Sequence, residues 1–132
     1  MTKIIRGDPK TLTNVRPQIY HHYVRVDDPQ SLIFVSGQLS RDANGNLFGR
    51  GDMAEQARQA IRNVRTVLEA AGASLDDIVS VVVYTTDIRE FKRISEARAE
   101  FFKDKLPTST IIEVNHLSDP DLLIEIQVIA AL

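Results

Sequence analysis

Cysteine is absent from the 132 residues of this chain. Its absence excludes disulfide bonds, thiolate metal sites and cysteine nucleophiles together. An excess of basic residues is also missing, since the formal net charge is −2, and this argues against a nucleic-acid-binding surface. We see no apolar leader and no run of about 18 apolar residues that could cross a membrane. The sequence therefore predicts a cytoplasmic protein with no nucleic-acid partner and no membrane partner.

The composition is that of an ordinary globular chain. Hydrophobic residues make up 43% of it and charged residues 26%, which is typical of folded domains. A chain of this length buries roughly two thirds of its unfolded surface, so its core needs no disulfide or metal to stabilise it. We expect a single domain over residues 1–132, in which residues 1–16 form an irregular N-terminal segment.

Runs of β-branched and aromatic residues predict five strands. The turn residues Asp27–Gln30 separate the first two runs, which predicts a β-hairpin there. The strands are expected at about Tyr20–Val26, Leu32–Ser36, Asp77–Thr86, Thr108–Asn115 and Leu122–Ala130.

Two amphipathic helices are expected between these strands. Asp52 and Glu55 form a capping-box-like start for the first helix, and Gly72 suits the left-handed residue after its end. Asp87 begins the second helix in the same way, and Pro107 lies beyond its end. The order β-β-α-β-α-β-β predicts an α+β fold, with both helices packed side by side on one face of a mixed sheet.

The other face of this sheet has no helix left to cover it. Side chains alternate between the two faces of a strand, so Leu123, Glu125, Gln127 and Ile129 share that face on the last strand. Half of this set is apolar and half is polar. Such a face is more typical of a subunit interface than of bare solvent, but the pattern alone leaves both open.

Several motifs in the right order resemble the reactive-intermediate deaminase (RidA/YjgF) family, over about residues 17–131. The resemblance implies a chorismate-mutase-like α+β fold and a homotrimer with clefts between its subunits. It also implies hydrolysis of enamines or imines of small acids without a metal or an organic cofactor. Leu117–Ile126 is similar to the branch that contains 2-aminomuconate deaminases. The motifs are Phe34–Gln38, Glu55–Val64, Ala70–Val79, Asp87, Ala99–Phe102, Pro107 and Ile124–Ile126.

The same resemblance implies a set of site residues. Glu125 matches the carboxylate near the attacking water and is the candidate catalytic residue, although a strand glutamate of this kind also fits an ion pair between subunits. Where the family has its signature arginine, two residues after Pro107, this chain has Ser109. The expected substrate-binding residues are Tyr20, Ser36, Gly37, Ser109 and Ile111.

The serine changes what the cleft can hold. A guanidinium binds a carboxylate through two parallel N–H bonds, whereas a serine offers one neutral hydroxyl. We therefore expect weak activity, or none, on the short 2-imino acids usual for the family, and an altered substrate preference. Arg16, Arg25 or Arg98 could supply a displaced cation, although each also fits an ordinary surface charge.

No metal site is expected from the three histidines. His21 and His22 are adjacent on the predicted first strand and should point to opposite faces, and His116 is distant in sequence. Two functions remain open beside a deaminase. One is a trimer that binds a small ligand without chemistry, as a regulator or scavenger. The other is a ribonuclease, as some family members are described, which the acidic balance of the chain disfavours.

Overall fold

Residues 1–14 and 18–132 are described by a computed structural model. Within them the chain forms six strands and two α-helices. The order is β1 (Lys3–Gly7), β2 (Tyr23–Asp27), β3 (Leu32–Leu39), α1 (Met53–Ala70), β4 (Ile78–Thr85), α2 (Phe91–Ala99), β5 (Thr108–Glu113) and β6 (Ile124–Ala131).

Four of the strands form one mixed sheet in the order β3-β6-β4-β5. β6 lies antiparallel to both β3 and β4, and β5 lies parallel to β4 at the edge of the sheet. The parallel pair is possible because α2 provides the crossover between β4 and β5. The predicted α+β class, with a mixed sheet and two helices, is confirmed.

The first helix begins and ends where its sequence signals lie. The Asp52 carboxylate accepts the backbone N–H of Glu55 at 3.1 Å, and Gly72 adopts the left-handed conformation (φ 84°) beyond the helix. Its buried stripe follows the helical period and packs on the sheet together with α2. The buried residues of α1 are Met53, Gln56, Ala57, Ala60, Ile61, Val64 and Leu68.

The two faces of the sheet differ sharply in exposure. On β6, the alternate residues Ile124, Ile126, Val128 and Ala130 are buried beneath the helices. The opposite face of the single chain is uncovered, and Phe34 there is 71% exposed. The core therefore lies on the helix side of the sheet, and we call the other side the open face.

The predicted hairpin between the first two expected strands is wrong. β2 pairs with β1, from Lys3 opposite Asp27 to Gly7 opposite Tyr23, while β3 pairs with β6. Asp28 has a positive φ of 50°, and the next turn is held by bonds to the carbonyl of Leu132. This redirects the chain into the main sheet. Residues 3–7 are consequently a strand and not part of an irregular segment.

Candidate functional site

Two of the predicted site residues, Ser36 and Gly37, form a β-bulge in β3. β3 has Ser36 and Gly37 opposite the single residue Gln127 of β6, and such an insertion bends the strand locally. Gly37 then lies directly against the Glu125 side chain, where any Cβ atom would overlap the carboxylate. A side chain at position 37 would therefore displace the Glu125 carboxylate, and this close approach, not an unusual backbone angle, is what distinguishes glycine there.

Glu125 lies on the open face, as its position in the strand register requires. It is the second residue of β6 and pairs with Tyr84 of β4, while its neighbour Ile126 is buried in the core. The Glu125 side chain is half-buried. Beside it, the Tyr84 hydroxyl donates to Oε1 of Gln127 at 3.4 Å. The Glu125 carboxylate therefore lies at a partly exposed surface that another molecule can reach.

Gln56 positions the start of β6, although the sequence interpretation did not single it out. Its side chain is fully buried. Its Oε1 accepts the N–H of Leu123 at 2.8 Å, and its Nε2 donates to the carbonyl of Asp121 at 2.9 Å. The signal was available, because Gln56 lies three residues after Met53 and four before Ala60, on the buried stripe of α1.

A wide, shallow groove begins at Gly37. It has a volume of about 560 Å³ and is open to solvent along its length. From Gly37 it passes Leu39 and Arg41 to Asn63 and Val67 of α1. Ser36, the other bulge residue, is exposed at the open face.

Ser109 and Ile111 lie on the other side of the sheet from Glu125. They pair with Val81 and Val83, which are both buried beneath the helices, and paired residues share a face. Ile111 packs against the core. Ser109 Oγ accepts a hydrogen bond from Nη1 of Arg98 at 3.0 Å. Within one chain, the predicted catalytic and anchoring positions are therefore separated by the sheet.

The interpretation of Arg98 as a surface charge is wrong. Arg98 is only 4% exposed, because it projects from the buried side of α2, four residues after Ile94. Burial lowers the pKa of its guanidinium to about 10, so the group is still charged at neutral pH. Arg25, by contrast, is exposed and paired with Asp27. Arg16 lies outside the described residues.

Tyr20 belongs to a polar cluster around Asp8, just before β2. The Asp8 carboxylate lies 2.8 Å from Nδ1 of His21 and accepts the backbone N–H of His22 at 2.9 Å. Nε2 of Gln18 donates to the same carboxylate at 3.0 Å. The Tyr20 ring packs edge-on against His22, with 5.5 Å between the ring centroids.

Both histidines contact one carboxylate, so the expectation that they point to opposite faces is wrong. The strand begins only at Tyr23, and the strict alternation of a strand does not apply to the residues before it. The cluster also lies beside β5, because the N–H of His21 donates to the carbonyl of Pro107 at 2.9 Å. Tyr20 is thus placed near the Ser109 end of the molecule. Asp8 could not have been found from the sequence, since His21 lies 13 positions further along the chain.

The Asp8 cluster predicts a specific loss of stability in acid. Bonds from the Asn14 amide and from the His22 backbone N–H hold the pKa of Asp8 well below its ordinary value of 3.8. A depressed pKa in the folded state stabilises the fold above the unfolded pKa, and this contribution is lost as the pH falls further. We expect Asp8→Asn to lower Tm by a few degrees at pH 7 and by less at pH 3. Thermal unfolding followed by circular dichroism across this range measures the difference, and a constant difference would contradict the assignment.

In residues 1–14 and 18–132, no group of three or more histidine, aspartate or glutamate side chains is arranged to hold a metal ion. In the same residues, neither helix combines the length and the apolar character needed to cross a membrane.

Comparison with known proteins gives consistent relatives across nearly the whole chain. The family model described as Endoribonuclease L-PSP matches residues 13–132. A RutC family protein of Pyrococcus horikoshii is 38% identical over 76% of this chain and 79% of its own length. The 3-aminoacrylate deaminase RutC of Acinetobacter baylyi is 32% identical, over 82% and 85% of the two chains. A 2-iminobutanoate/2-iminopropanoate deaminase of Dermatophagoides farinae is 28% identical, over 80% and 82%.

The fold is shared with a solved structure over its full length. The crystal structure of YyfB, a Rid family protein of unknown function from Yersinia pestis, superimposes with a TM-score of 0.89. The match covers 98% of each chain at 28% sequence identity. Sequence and structure together show that this chain belongs to the Rid (RidA/YjgF, RutC) family that the endoribonuclease L-PSP model describes.

Proposed function

We propose that this protein is a hydrolytic deaminase of enamines or imines of small organic acids, with Glu125 as its catalytic residue. The family includes proteins named for deamination of 3-aminoacrylate and of 2-imino acids. The observation that carries the proposal for this chain is the contact of the Glu125 carboxylate with the Gly37 bulge on the open face.

The chemistry needs few groups. An enamine first becomes an imine by taking a proton on carbon and losing one from nitrogen. Water then adds to the C=N carbon, and the resulting carbinolamine releases ammonia and leaves a carbonyl compound. A carboxylate beside the C=N carbon orients the water and accepts its proton as the C–O bond forms. Glu125 is half-buried, and in this proposal it accepts the proton of the water and returns it to the nitrogen, so that ammonia leaves.

We further propose that the active site forms between copies in a homotrimer. The open face supports this, because Leu32, Phe34 and Ile112 are all large, apolar and exposed in the single chain. Packing this face against other copies would remove these side chains from water. It would also bring the β5 edge of one copy, which carries Ser109, toward Glu125 of another. A small-molecule substrate would then bind in each of the clefts.

Substrate preference should differ from that of relatives with an arginine at position 109. Ser109 supplies only a hydroxyl, and that hydroxyl already accepts a bond from Arg98. A carboxylate cannot therefore be bound at this point as a guanidinium at position 109 would bind it.

The proposal is tested by generating imines in place. An L-amino-acid oxidase produces 2-imino acids from a panel of acidic, neutral and aromatic amino acids, and semicarbazide traps the imines that remain. If the protein hydrolyses them, semicarbazone formation slows in proportion to the protein added. An unchanged rate across the whole panel would favour the alternative of a trimer that binds a small ligand without chemistry.

Replacing Gly37 with alanine should lower the turnover of the protein without lowering its thermal stability. The added methyl group overlaps the end of a flexible side chain and not the backbone, so Glu125 can swing away and Tm should change little. Displacing the carboxylate by about 1 Å is expected to lower turnover by about 10-fold or more. The assay above and a melting curve give the two readouts.

Gly72→Ala is the matched control for this substitution. Gly72 follows the end of α1, with a positive φ of 84° and open space around its Cβ position. Alanine there is strained in its backbone, so Tm should fall while turnover is kept. If Gly37→Ala retained full activity, the close contact would have no part in catalysis.

A further inference from the structure

The first step of the proposed deamination has no side chain assigned to it. Before water adds, the enamine carbon must gain a proton and the nitrogen must lose one. A single group can do both if its charge changes readily near neutral pH, and histidine is the side chain that ordinarily does so. The chain has three histidines. His116 is exposed after β5, whereas His21 and His22 belong to the polar cluster around Asp8.

Asp8 fixes the orientation of the His21 ring. Nδ1 of His21 lies 2.8 Å from Oδ2 of Asp8, and the His21 side chain remains 19% exposed. Asp8 is ionised at neutral pH, because bonds from the Asn14 amide and the His22 N–H hold its pKa well below its ordinary value. An ionised carboxylate can only accept hydrogen bonds, so Nδ1 of His21 carries a proton. Nε2 is then the nitrogen left free to exchange protons, and it points away from Asp8 across the ring.

His22 is held less closely by the same carboxylate. Its Nδ1 lies 3.2 Å from Oδ1 of Asp8, and its backbone N–H donates to that same oxygen at 2.9 Å. Its ring also packs edge-on against Tyr20. A carboxylate that holds an imidazole by Nδ1 sets its tautomer and steadies its orientation, and of the two rings His21 has the shorter bond. The geometry therefore favours His21 as the proton-transfer group.

The backbone of His21 lies against the chain segment that leads into β5. Its N–H donates to the carbonyl of Pro107 at 2.9 Å, and Ser109 follows two residues later. β5 forms one edge of the sheet, and the proposed trimer brings this edge toward Glu125 of another copy. The His21 ring of one copy and the Glu125 carboxylate of another would then border the same cleft.

We infer that His21, oriented by Asp8, is a second catalytic residue, which transfers the proton in the enamine-to-imine step. This inference rests on the proposed function and concerns the step before water addition. The proton on Nε2 moves to the β-carbon of the enamine, where the C=C electron pair forms the new C–H bond and the nitrogen lone pair forms C=N. Nε2 then takes one proton from the iminium nitrogen, which leaves the imine and restores the imidazolium.

Transfer from a fixed ring predicts a stereochemical signature. His21 can reach only one face of the planar C=C bond, whereas water in solution protonates both faces equally. In D₂O, Nε2 carries deuterium, so the product should carry deuterium in one configuration at the β-carbon. A purely structural role for the cluster around Asp8 would give no such preference.

The test uses an enamine with a substituted β-carbon. In D₂O, a threonine dehydratase converts threonine into 2-aminocrotonate, and imine hydrolysis then gives 2-oxobutanoate with or without help from the protein. An L-amino-acid dehydrogenase with ammonia and NADH converts this at once into L-2-aminobutanoate, in which NMR distinguishes the two hydrogens on the β-carbon. Wild-type protein should give an excess of one deuterated form over the ratio that the coupled enzymes give alone.

His21→Asn should abolish this excess. The amide nitrogen of asparagine takes the place of Nδ1 and can still donate to Asp8, but nothing replaces Nε2. The protein-dependent rate of enamine loss, followed by ultraviolet absorbance, should also fall by about 100-fold or more, as expected for a lost general acid–base group.

His116→Asn is the matched control, because His116 is exposed and lies outside the cluster around Asp8. It should keep both the excess and the rate. Should His21→Asn fail to fold, His21→Gln places an amide near the position of Nε2. That amide cannot exchange protons as an imidazole does, so this variant should abolish the excess in the same way.

Three outcomes overturn the inference. One is a wild-type protein that gives no excess, and another is a folded His21 variant that keeps it. The third is loss of the excess in His22→Asn or Glu125→Gln but not in His21→Asn, which would assign the transfer to that other residue. Imine hydrolysis without the excess would leave the proposed function in place. An excess without imine hydrolysis would count against the proposed function alone.

Discussion

Replacing Glu125 with glutamine should lower imine hydrolysis by at least about 100-fold, which is the usual contribution of a general base. Glutamine has the same size and can take the same place beside Gly37, so the bulge and the sheet should be undisturbed. The amide cannot accept a proton from water at neutral pH. The semicarbazide assay measures the loss, and light scattering after gel filtration reports whether the assembly is kept.

Glu69→Gln is a suitable control for this substitution. Glu69 is exposed near the end of α1, and the same change of charge there should leave turnover unchanged. If Glu125→Gln dissociated the assembly as it lost activity, Glu125 would be an interfacial partner of another copy. That outcome would support the other role that the sequence left open for Glu125, an ion pair between subunits.

Replacing Phe34 with aspartate should convert the assembly to monomers and abolish turnover. Phe34 is 71% exposed in the single chain, so the fold of one copy does not depend on burying it. In the proposed trimer it lies against other copies, where an unpaired carboxylate would be costly to bury. Light scattering should give the mass of one chain, and circular dichroism should give an unchanged spectrum.

Phe48→Asp provides the comparison for this prediction. Phe48 is also exposed, at 44%, but it lies in the connection between β3 and α1 and not on the sheet. The same change there should keep both the assembly and the turnover. A Phe34→Asp protein with the mass and activity of wild type would remove the open face from the proposed interface.

Local patterns predicted the parts of the fold that local physics determines. The cap at Asp52, the left-handed Gly72 and the buried stripe of α1 all depend on residues within one or two helical turns. The alternation along β6 likewise predicted which of its residues face the helices. The same alternation places Glu125 on the open face.

Contacts between distant segments could not be predicted in the same way. β2 pairs with β1, which lies about 20 residues earlier in the chain. The turn residues after β2 do not by themselves show whether it pairs with β1 or with β3. The meeting of Asp8 with His21 leaves no periodic signal. Arg98 differs, because its place on the buried side of α2 follows from its spacing to Ile94 and Ala97, and an arginine at such a position was a detectable exception.

The placement of Ser109 and Glu125 on opposite faces of one sheet has a consequence for how the activity depends on dilution. If both positions serve one substrate, a lone polypeptide contains no complete centre, and specific activity must fall once the protein is diluted below the dissociation constant of its assembly.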